Sequence, residues 1–291
     1  MKNRNMLVTL KEICAIAEEK KIAVGAFNAI SLASLKAVFA AAEELNTPFV
    51  IMYAQLHHVF NDIEDIGPLM VKYAKRSSVP VCVMLDHGED LEFVKKALEI
   101  GFTAVMIDGS GLPYEENVKI TKAAVEMAKT YGADVEGELG TMGKRELGGG
   151  NADAEHDATK IYTDPELAAR FVKETGIAAL ACSFGTTHGI YLTAPKLNFD
   201  IVRQVRENTS GIPVVMHGGS GVSVEDFHHA IDAGVRKINY FTYMDKAGAA
   251  AAKEYLDGCT SATPVFTKLC AAAETAMKEN VAEAIKKFAK A

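Results

Sequence analysis

Three histidines lie where short apolar segments meet segments that contain glycine. His87 follows PVCVML and Asp86, His188 lies within GTTHG, and His217 is followed by GGSG. Three protein ligands with an open fourth position are the arrangement of a catalytic zinc site. One such histidine alone is more often a core or surface residue, but three at predicted strand ends favour zinc. The remaining histidines are interpreted as surface or loop residues: His57, His58, His156, His228 and His229.

Carboxylates occur at the same predicted strand ends. Asp86 directly precedes His87, and a carboxylate beside a metal ion can relay a proton or can orient a ligand by hydrogen bonding. Asp108 and Glu138 end two further apolar segments. These two residues could supply an oxygen-rich second cation site, or they could form structural salt bridges, and the sequence leaves both interpretations open.

A glycine-rich turn, Gly218-Gly219-Ser220, follows His217, and the next apolar segment ends at Asn239-Tyr240-Phe241-Thr242. The N–H groups of such a turn can bind phosphate, and barrel enzymes frequently bind phosphate after their seventh and eighth strands. Asn28 ends the first apolar segment at the same predicted rim. A metal, a phosphate site and acidic groups together predict a phosphorylated carbonyl substrate that a Lewis acid polarises.

Eight apolar segments alternate with amphipathic helical segments and must position these side chains. The apolar segments lack the two-residue alternation of an exposed sheet, which indicates strands buried on both faces. The pattern predicts an α/β fold, a (β/α)8 TIM barrel with extra C-terminal helices. A doubly wound open sheet is the alternative, and it is weaker because no GxGxxG follows the first strand. The predicted strands cover residues 22–27, 48–52, 80–85, 104–107, 133–139, 177–184, 212–216 and 236–240.

The chain shows no composition shift between domains, so residues 1–291 are predicted to form one barrel domain, with 246–291 as a C-terminal helical extension. A net charge of −7 without a basic stripe argues against a nucleic-acid partner. No apolar segment approaches the roughly 20 residues of a membrane span. Five scattered cysteines without a CxxC pair suit a reducing compartment, and we expect a cytoplasmic protein.

The motifs resemble those of the class II, metal-dependent ketose-bisphosphate aldolases, whose best-known members act on fructose 1,6-bisphosphate and tagatose 1,6-bisphosphate. The resemblance covers residues 8–245 and is specific in the order and spacing of the motifs. They are LDHG (85–88), MIDGSGLPYEENV (106–118), VEGELG (135–140), YTDPE (162–166), FGTTHGIY (184–191), HGGSG (217–221) and KIN..T (237–242).

The resemblance implies that His87, His188 and His217 bind Zn2+, which polarises the carbonyl of dihydroxyacetone phosphate and stabilises its enediolate. It implies that Asp86 exchanges the proton of the aldehyde oxygen and that Glu146 removes the C–H proton. Asp108 and Glu138 match positions that hold a second or displaced metal ion, and a monovalent cation (Na+ or K+) is implied near the phosphate. The positions that match substrate contacts are Gly189, Gly218, Gly219, Ser220, Asn239 and Thr242. We expect a small-molecule sugar phosphate as substrate and a homodimer or homotetramer as the assembly.

Several positions depart from the family pattern at the far end of the substrate. Ala54 replaces the serine that usually binds the distal phosphate, and Leu192 replaces the usual lysine. Phe241 takes the place of a small or acidic residue, and Arg145 replaces one of two paired acidic residues. We therefore hypothesise that the aldehyde product is not glyceraldehyde 3-phosphate.

Three other functions are alternatives to the zinc aldolase. A zinc-dependent barrel hydrolase explains the histidines but not the glycines that could bind phosphate. An aldolase that uses Lys237 as an imine-forming nucleophile needs no Lewis acid. A barrel that binds a sugar phosphate without turnover does not require Asp86 and Glu146.

Overall fold

A computed structural model of the chain describes residues 6–140, 162–186, 196–260 and 263–291. Eight parallel strands form a closed barrel in chain order, and β1 pairs with β8. The strands are β1 (Val24–Asn28), β2 (Phe49–Ala54), β3 (Val81–Gly88), β4 (Ala104–Ile107), β5 (Asp134–Leu139), β6 (Ala179–Cys182), β7 (Val214–Met216) and β8 (Val235–Tyr240). The predicted (β/α)8 barrel is confirmed, and closure between β1 and β8 excludes the open sheet.

Helices surround the barrel, and a short 3-10 helix (Gln55–Val59) follows β2. Most connections end at side-chain caps, such as Ser223 at the start of the helix after β7, which accepts a hydrogen bond from the N–H of Asp226. The α-helices are α1 (Leu10–Lys20), α2 (Leu32–Glu44), α3 (Ile63–Arg76), α4 (Leu91–Ile100), α5 (Tyr114–Tyr131), α6 (Pro165–Thr175), α7 (Phe199–Asn208), α8 (Val224–Ala233), α9 (Thr242–Gly258) and α10 (Phe266–Phe288).

The barrel interior is apolar at one end and polar at the other. Helix α1 closes the amino-terminal end, where Leu10, Ile13 and Ala17 belong to the same buried cluster as inward-facing strand residues such as Val24 and Met84. The inward rows alternate along the strands and end in polar side chains at the carboxyl-terminal end, except in β2, where the row ends at Ala54. This end is therefore the one open to ligands, as in other barrels of this type.

The C-terminal helices differ in how they pack. Helix α9 follows β8 directly, yet only Met244 and Gly248 of it are buried. Helix α10 packs against α2, α8, α9 and β1 and buries residues along its second half, including Phe288. Helix α10 thus fills the place between α8 and α2, and α9 lies outside it. The predicted boundary at residue 246 falls inside α9.

Of the helices described, none combines the length and the apolar character needed to cross a bilayer.

Candidate active site

A β-bulge brings the neighbouring residues Asp86 and His87 to the same end of the barrel. Leu85 pairs with Val105 and Gly88 pairs with Ile107, so β3 contains one residue more than β4 over this stretch. His87 adopts a φ of 45°, in the left-handed region that residues with side chains rarely occupy. The bulge breaks the alternation of the strand, and both side chains therefore reach one cluster.

His87 and His217 approach each other as two metal ligands would. Nε2 of His87 lies 3.1 Å from Nδ1 of His217, and His217 is fully buried. Two nitrogens on one tetrahedral zinc ion at its usual bond length would lie about 3.3 Å apart. A carboxylate oxygen of Asp86 joins this pair, with all three candidate ligand atoms within 4.8 Å of one another.

The outer nitrogen of each imidazole faces a carboxylate. Nδ1 of His87 lies 3.1 Å from Oδ2 of Asp108, and Nε2 of His217 lies 2.9 Å from Oε1 of Glu136. When the outer nitrogens donate to these carboxylates, the two inner nitrogens carry lone pairs. Facing lone pairs repel, so this arrangement fits a positive charge between the rings, either a proton shared by the two nitrogens or a metal ion.

The charges around the cluster also fit a cation. Burial and the neighbouring Asp108 raise the pKa of Glu138 to about 8. Burial disfavours a charged His87, but the carboxylates of Asp86, Asp108 and Glu138 outweigh it and raise the pKa of His87 to about 10. Oε2 of Glu138 lies 3.6 Å from Nδ1 of His217. The side chains present thus suit Zn2+, which binds imidazole and carboxylate groups.

Asp86 is held as a carboxylate by its neighbours. Burial alone would raise the pKa of Asp86, but the electrostatic influence of His87, His217 and Lys237 holds it well below its usual range. Its oxygens accept hydrogen bonds from Nδ2 of Asn28 at 2.8 Å and from Nδ2 of Asn239 at 3.2 Å. An ionised, fixed carboxylate beside a metal site can take a proton from a hydroxyl group.

A fully buried ion pair lies deeper in the barrel than the imidazoles. Nζ of Lys237 lies 3.0 Å from Oε2 of Glu136 and donates to Oδ1 of Asn239 at 2.7 Å. Lys237 therefore supports both Glu136 behind His217 and Asn239 beside Asp86. This role argues against Lys237 as an imine-forming nucleophile. Glu136 is not among the predicted site residues, although it lies in the same inward row of β5 as Glu138, and that position was the available signal.

The glycine turn after β7 packs against the end of β8. The N–H of Gly219 donates to the carbonyl of Asn239 at 3.1 Å. A Cβ on Gly219 would lie 2.7 Å from Cγ2 of Ile238 and 2.8 Å from the Asn239 carbonyl oxygen, so only glycine allows this approach. Gly218 has a φ of 68°, and Ser220 is buried. The predicted phosphate-binding segments are therefore neighbours.

The residues of the segment Tyr240-Phe241-Thr242 lie in different environments. Thr242 begins α9, and Phe241 precedes that helix without a side-chain capping bond. The hydroxyl of Tyr240 donates to Oδ1 of Asn280 in α10, and its ring packs near Phe288. The Tyr240 side chain thus faces the helices, which leaves only its main chain for a substrate.

His57 is buried and therefore not a surface residue, although it lies in the connection between β2 and α3, as the loop interpretation predicts. It lies in the 3-10 helix after β2, 5% exposed, with its ring centroid 4.8 Å from that of Phe241. His58 is exposed, and His228 and His229 lie on α8, as expected. The remaining predicted site residues, His188, Gly189 and Glu146, lie outside the described residues, as do Arg145, Leu192 and His156.

Comparison with known proteins identifies one family over nearly the whole chain. The family described as "Fructose-bisphosphate aldolase class-II" matches residues 8–291. A fructose-bisphosphate aldolase of Staphylococcus epidermidis is 36% identical over 287 residues, covering 97% of each chain. The crystal structure of the YdjI aldolase of Escherichia coli K12 has a TM-score of 0.85 at 35% identity and covers 97% of each chain. The chain belongs to the class II fructose-bisphosphate aldolase family.

Proposed function

We propose that the chain is a zinc-dependent aldolase that reversibly cleaves a ketose phosphate into dihydroxyacetone phosphate and an aldehyde. The observation that carries this proposal is the pair of imidazole nitrogens, 3.1 Å apart, whose outer nitrogens face buried carboxylates. Bound zinc would supply a Lewis acid for the substrate's carbonyl oxygen. His87 and His217 would hold it with His188 as the third imidazole.

The remaining residues would serve either proton transfer or phosphate binding. In cleavage, the bond between C3 and C4 of the ketose breaks, the hydroxyl proton on C4 passes to Asp86, and C3 receives a proton in return. Glu146 is proposed to exchange the proton at C3. The sum of the products equals the substrate, so no further reactant is needed. The glycine turn 218–220 and the start of α9 would hold the phosphate of the dihydroxyacetone half, with Asn239 beside them.

The proposal is tested by the variant His217→Ala. We expect the purified variant to retain less than a tenth of the stoichiometric zinc and to lose ketose-phosphate cleavage, because two imidazoles bind zinc far more weakly than three. Metal analysis and a cleavage assay measure the two effects. His229→Ala, an exposed histidine on α8, serves as the control. Stoichiometric zinc in His217→Ala would refute its role as a ligand.

Four further expectations accompany this proposal. The monovalent cation near the phosphate, the second cation position at Asp108 and Glu138, the homo-oligomeric assembly and the cytoplasmic location stay predictions. Metal analysis after dialysis against potassium-free and sodium-free buffer tests for the monovalent cation. Sedimentation velocity measures the oligomeric state.

A further inference from the structure

His57 presents a buried polar atom that nothing in the described part of the chain satisfies. Its side chain is 5% exposed, and solvent does not reach Nδ1. This nitrogen also has no hydrogen-bond partner among the described residues. Buried polar groups in folded proteins are nearly always paired, and an unpaired one calls for an explanation. A ligand that supplies the missing partner is such an explanation.

The segment that carries His57 is fixed by hydrogen bonds on both sides. Gln55 bonds to Asp90 through Nε2 at 3.0 Å and accepts from the N–H of Glu89 at 2.7 Å. Asn61 donates to the carbonyl of Ile30 at 3.2 Å, and its own carbonyl accepts from the Tyr53 hydroxyl at 2.7 Å. The 3-10 helix is therefore tied to the loops after β1 and β3, and the position of His57 is preorganised.

This segment borders the acceptor side of the site. Ala54 ends β2 in register with Asp86 on β3, and the ring of His57 contacts Phe241 at the end of β8. The charges of Asp86 and His87 both act on the imidazole of His57. β2 is three strands away from β7 and its glycine turn. His57 thus lies near Asp86 and three strands from the turn that we assign to the phosphate, and its ring contacts the Phe241 side chain, which extends from the end of β8 towards β2.

The charges on this side do not suit a phosphate group. The loops after β1, β2, β3 and β8, up to the helices that follow them, contain no lysine or arginine, and they carry Asp62, Glu89 and Asp90. Burial lowers the pKa of His57, which favours the neutral imidazole. Oδ1 of Asn28, another buried atom without a hydrogen-bond partner among the described residues, is an acceptor and would repel a phosphate oxygen.

We propose that His57 binds the hydroxyl group on C3 of an uncharged, hydroxylated aldehyde, and that Phe241 and His57 together exclude an aldehyde that is phosphorylated there. The chain would then cleave ketose 1-phosphates in preference to ketose bisphosphates. This inference rests on the proposed aldolase function and adds the substrate class and a specificity-determining residue. Neutral imidazole matches a hydroxyl group as donor or acceptor, and the Phe241 ring suits the carbon chain.

The first experiment separates this inference from the aldolase function. The zinc-loaded enzyme is incubated with dihydroxyacetone phosphate in D2O without aldehyde, and exchange of the C–H proton on the hydroxymethyl carbon is followed by NMR. Exchange supports the proposed function, and its absence overturns both proposals. Condensation rates are then compared for glyceraldehyde and glyceraldehyde 3-phosphate. We expect kcat/KM to be at least tenfold higher for glyceraldehyde. Equal or higher values for the phosphorylated aldehyde would overturn the inference and leave the aldolase function standing.

The second experiment tests His57 itself with His57→Phe, which keeps an aromatic ring against Phe241 and removes the nitrogens. We expect the KM for glyceraldehyde to rise about tenfold, and His57→Gln, which restores a hydrogen-bonding group, to recover part of it. Lactaldehyde lacks the hydroxyl on C3, so wild type and His57→Phe should use it equally well. His58→Phe, at the exposed neighbouring position, is the matched control. An equal loss with both aldehydes, or no loss with glyceraldehyde, would overturn the assignment.

Discussion

At the scale of single residues, each group in the cluster depends on a neighbour that fixes its protonation or orientation. Asp108 and Glu136 face the outer nitrogens of the two imidazoles, and Asn28 and Asn239 donate to Asp86. These bonds hold the rings and the carboxylate in place before any ligand arrives, which removes reorganisation from the reaction. In the proposed mechanism the site therefore separates into groups that would hold the metal and a group that would move a proton.

The variant Asp86→Ala tests that separation. We expect zinc to remain stoichiometric, because Asp86 exchanges a proton and the imidazoles hold the metal. Cleavage should fall by about a hundredfold or more, the usual contribution of a positioned acid or base. Proton exchange on dihydroxyacetone phosphate should persist, since another group removes that proton. Metal analysis, a cleavage assay and NMR in D2O provide the three readouts. Full cleavage activity would show that a different acid serves the C4 hydroxyl.

The residues of the cluster could be predicted from the sequence because each ends an apolar segment, and inward rows alternate along a strand. This pattern predicts that the following residues lie in the site: Asp86, Asp108, Glu138, His217 and Asn239. It does not predict His57, because the segment QLHHVF after β2 resembles an exposed loop. Its burial depends on Phe241, which is distant in the sequence and contacts it only after the barrel closes between β8 and β1.

At the scale of elements, the bulge in β3 positions Asp86 and His87 together, and Gly88 makes the bulge possible. A Cβ on Gly88 would lie 2.6 Å from the carbonyl oxygen of Met106 on β4 and 3.0 Å from Cδ2 of Leu85. The Met106 oxygen belongs to the backbone of a buried strand and cannot move aside cheaply. The sequence motif DHG does not reveal this bulge, because register is a relation between two strands.

The variant Gly88→Ala should therefore loosen the bulge. We expect a loss of about 1–3 kcal/mol in the free energy of unfolding, the usual range for overpacking, together with weaker zinc binding. Urea denaturation and a zinc titration measure the two effects. Gly111→Ala is a matched control, because a Cβ at Gly111 meets no atom within 4 Å. Unchanged stability and zinc affinity in Gly88→Ala would contradict the role assigned to the bulge.

A second element-scale feature is the buried pair of Lys237 on β8 and Glu136 on β5. Both side chains are fully buried. Removing one partner of such a pair leaves an uncompensated charge. The variant Lys237→Met should cost about 3–5 kcal/mol of the free energy of unfolding, measured by urea denaturation. The double variant Glu136→Met with Lys237→Met should recover most of that loss. Equal instability in the single and double variants would show that the pair itself is not the cause.

At the scale of the whole molecule, helices from the two ends of the chain complete the barrel. Helix α1 closes the amino-terminal end, and α10 fills the gap between α8 and α2. The strand and helix rhythm predicts the barrel, since eight apolar segments recur between amphipathic ones. It does not predict which C-terminal helix takes the last place, because α9 and α10 are both rich in alanine and amphipathic. That choice depends on packing against β1, α2 and α8.

Phe288, near the end of α10, is the side chain on which this closure depends. It is 1% exposed, its ring lies against Phe227 and Tyr240, and its carbonyl accepts from the N–H of Ala23 at the entrance to β1. Phe288→Ala removes these ring contacts and opens a cavity beside β8. We expect a loss of about 3–5 kcal/mol in the free energy of unfolding, measured by urea denaturation.

Phe266→Ala, at the start of the same helix, is the control, because that side chain is 78% exposed and its removal creates no cavity. Tyr240 connects α10 to the strand that carries Asn239, so Phe288→Ala should also raise the KM for the ketose phosphate. Equal stability of the two variants would mean that α10 is an appendage of the barrel. A selective loss in Phe288→Ala would establish it as part of the barrel wall that supports the site.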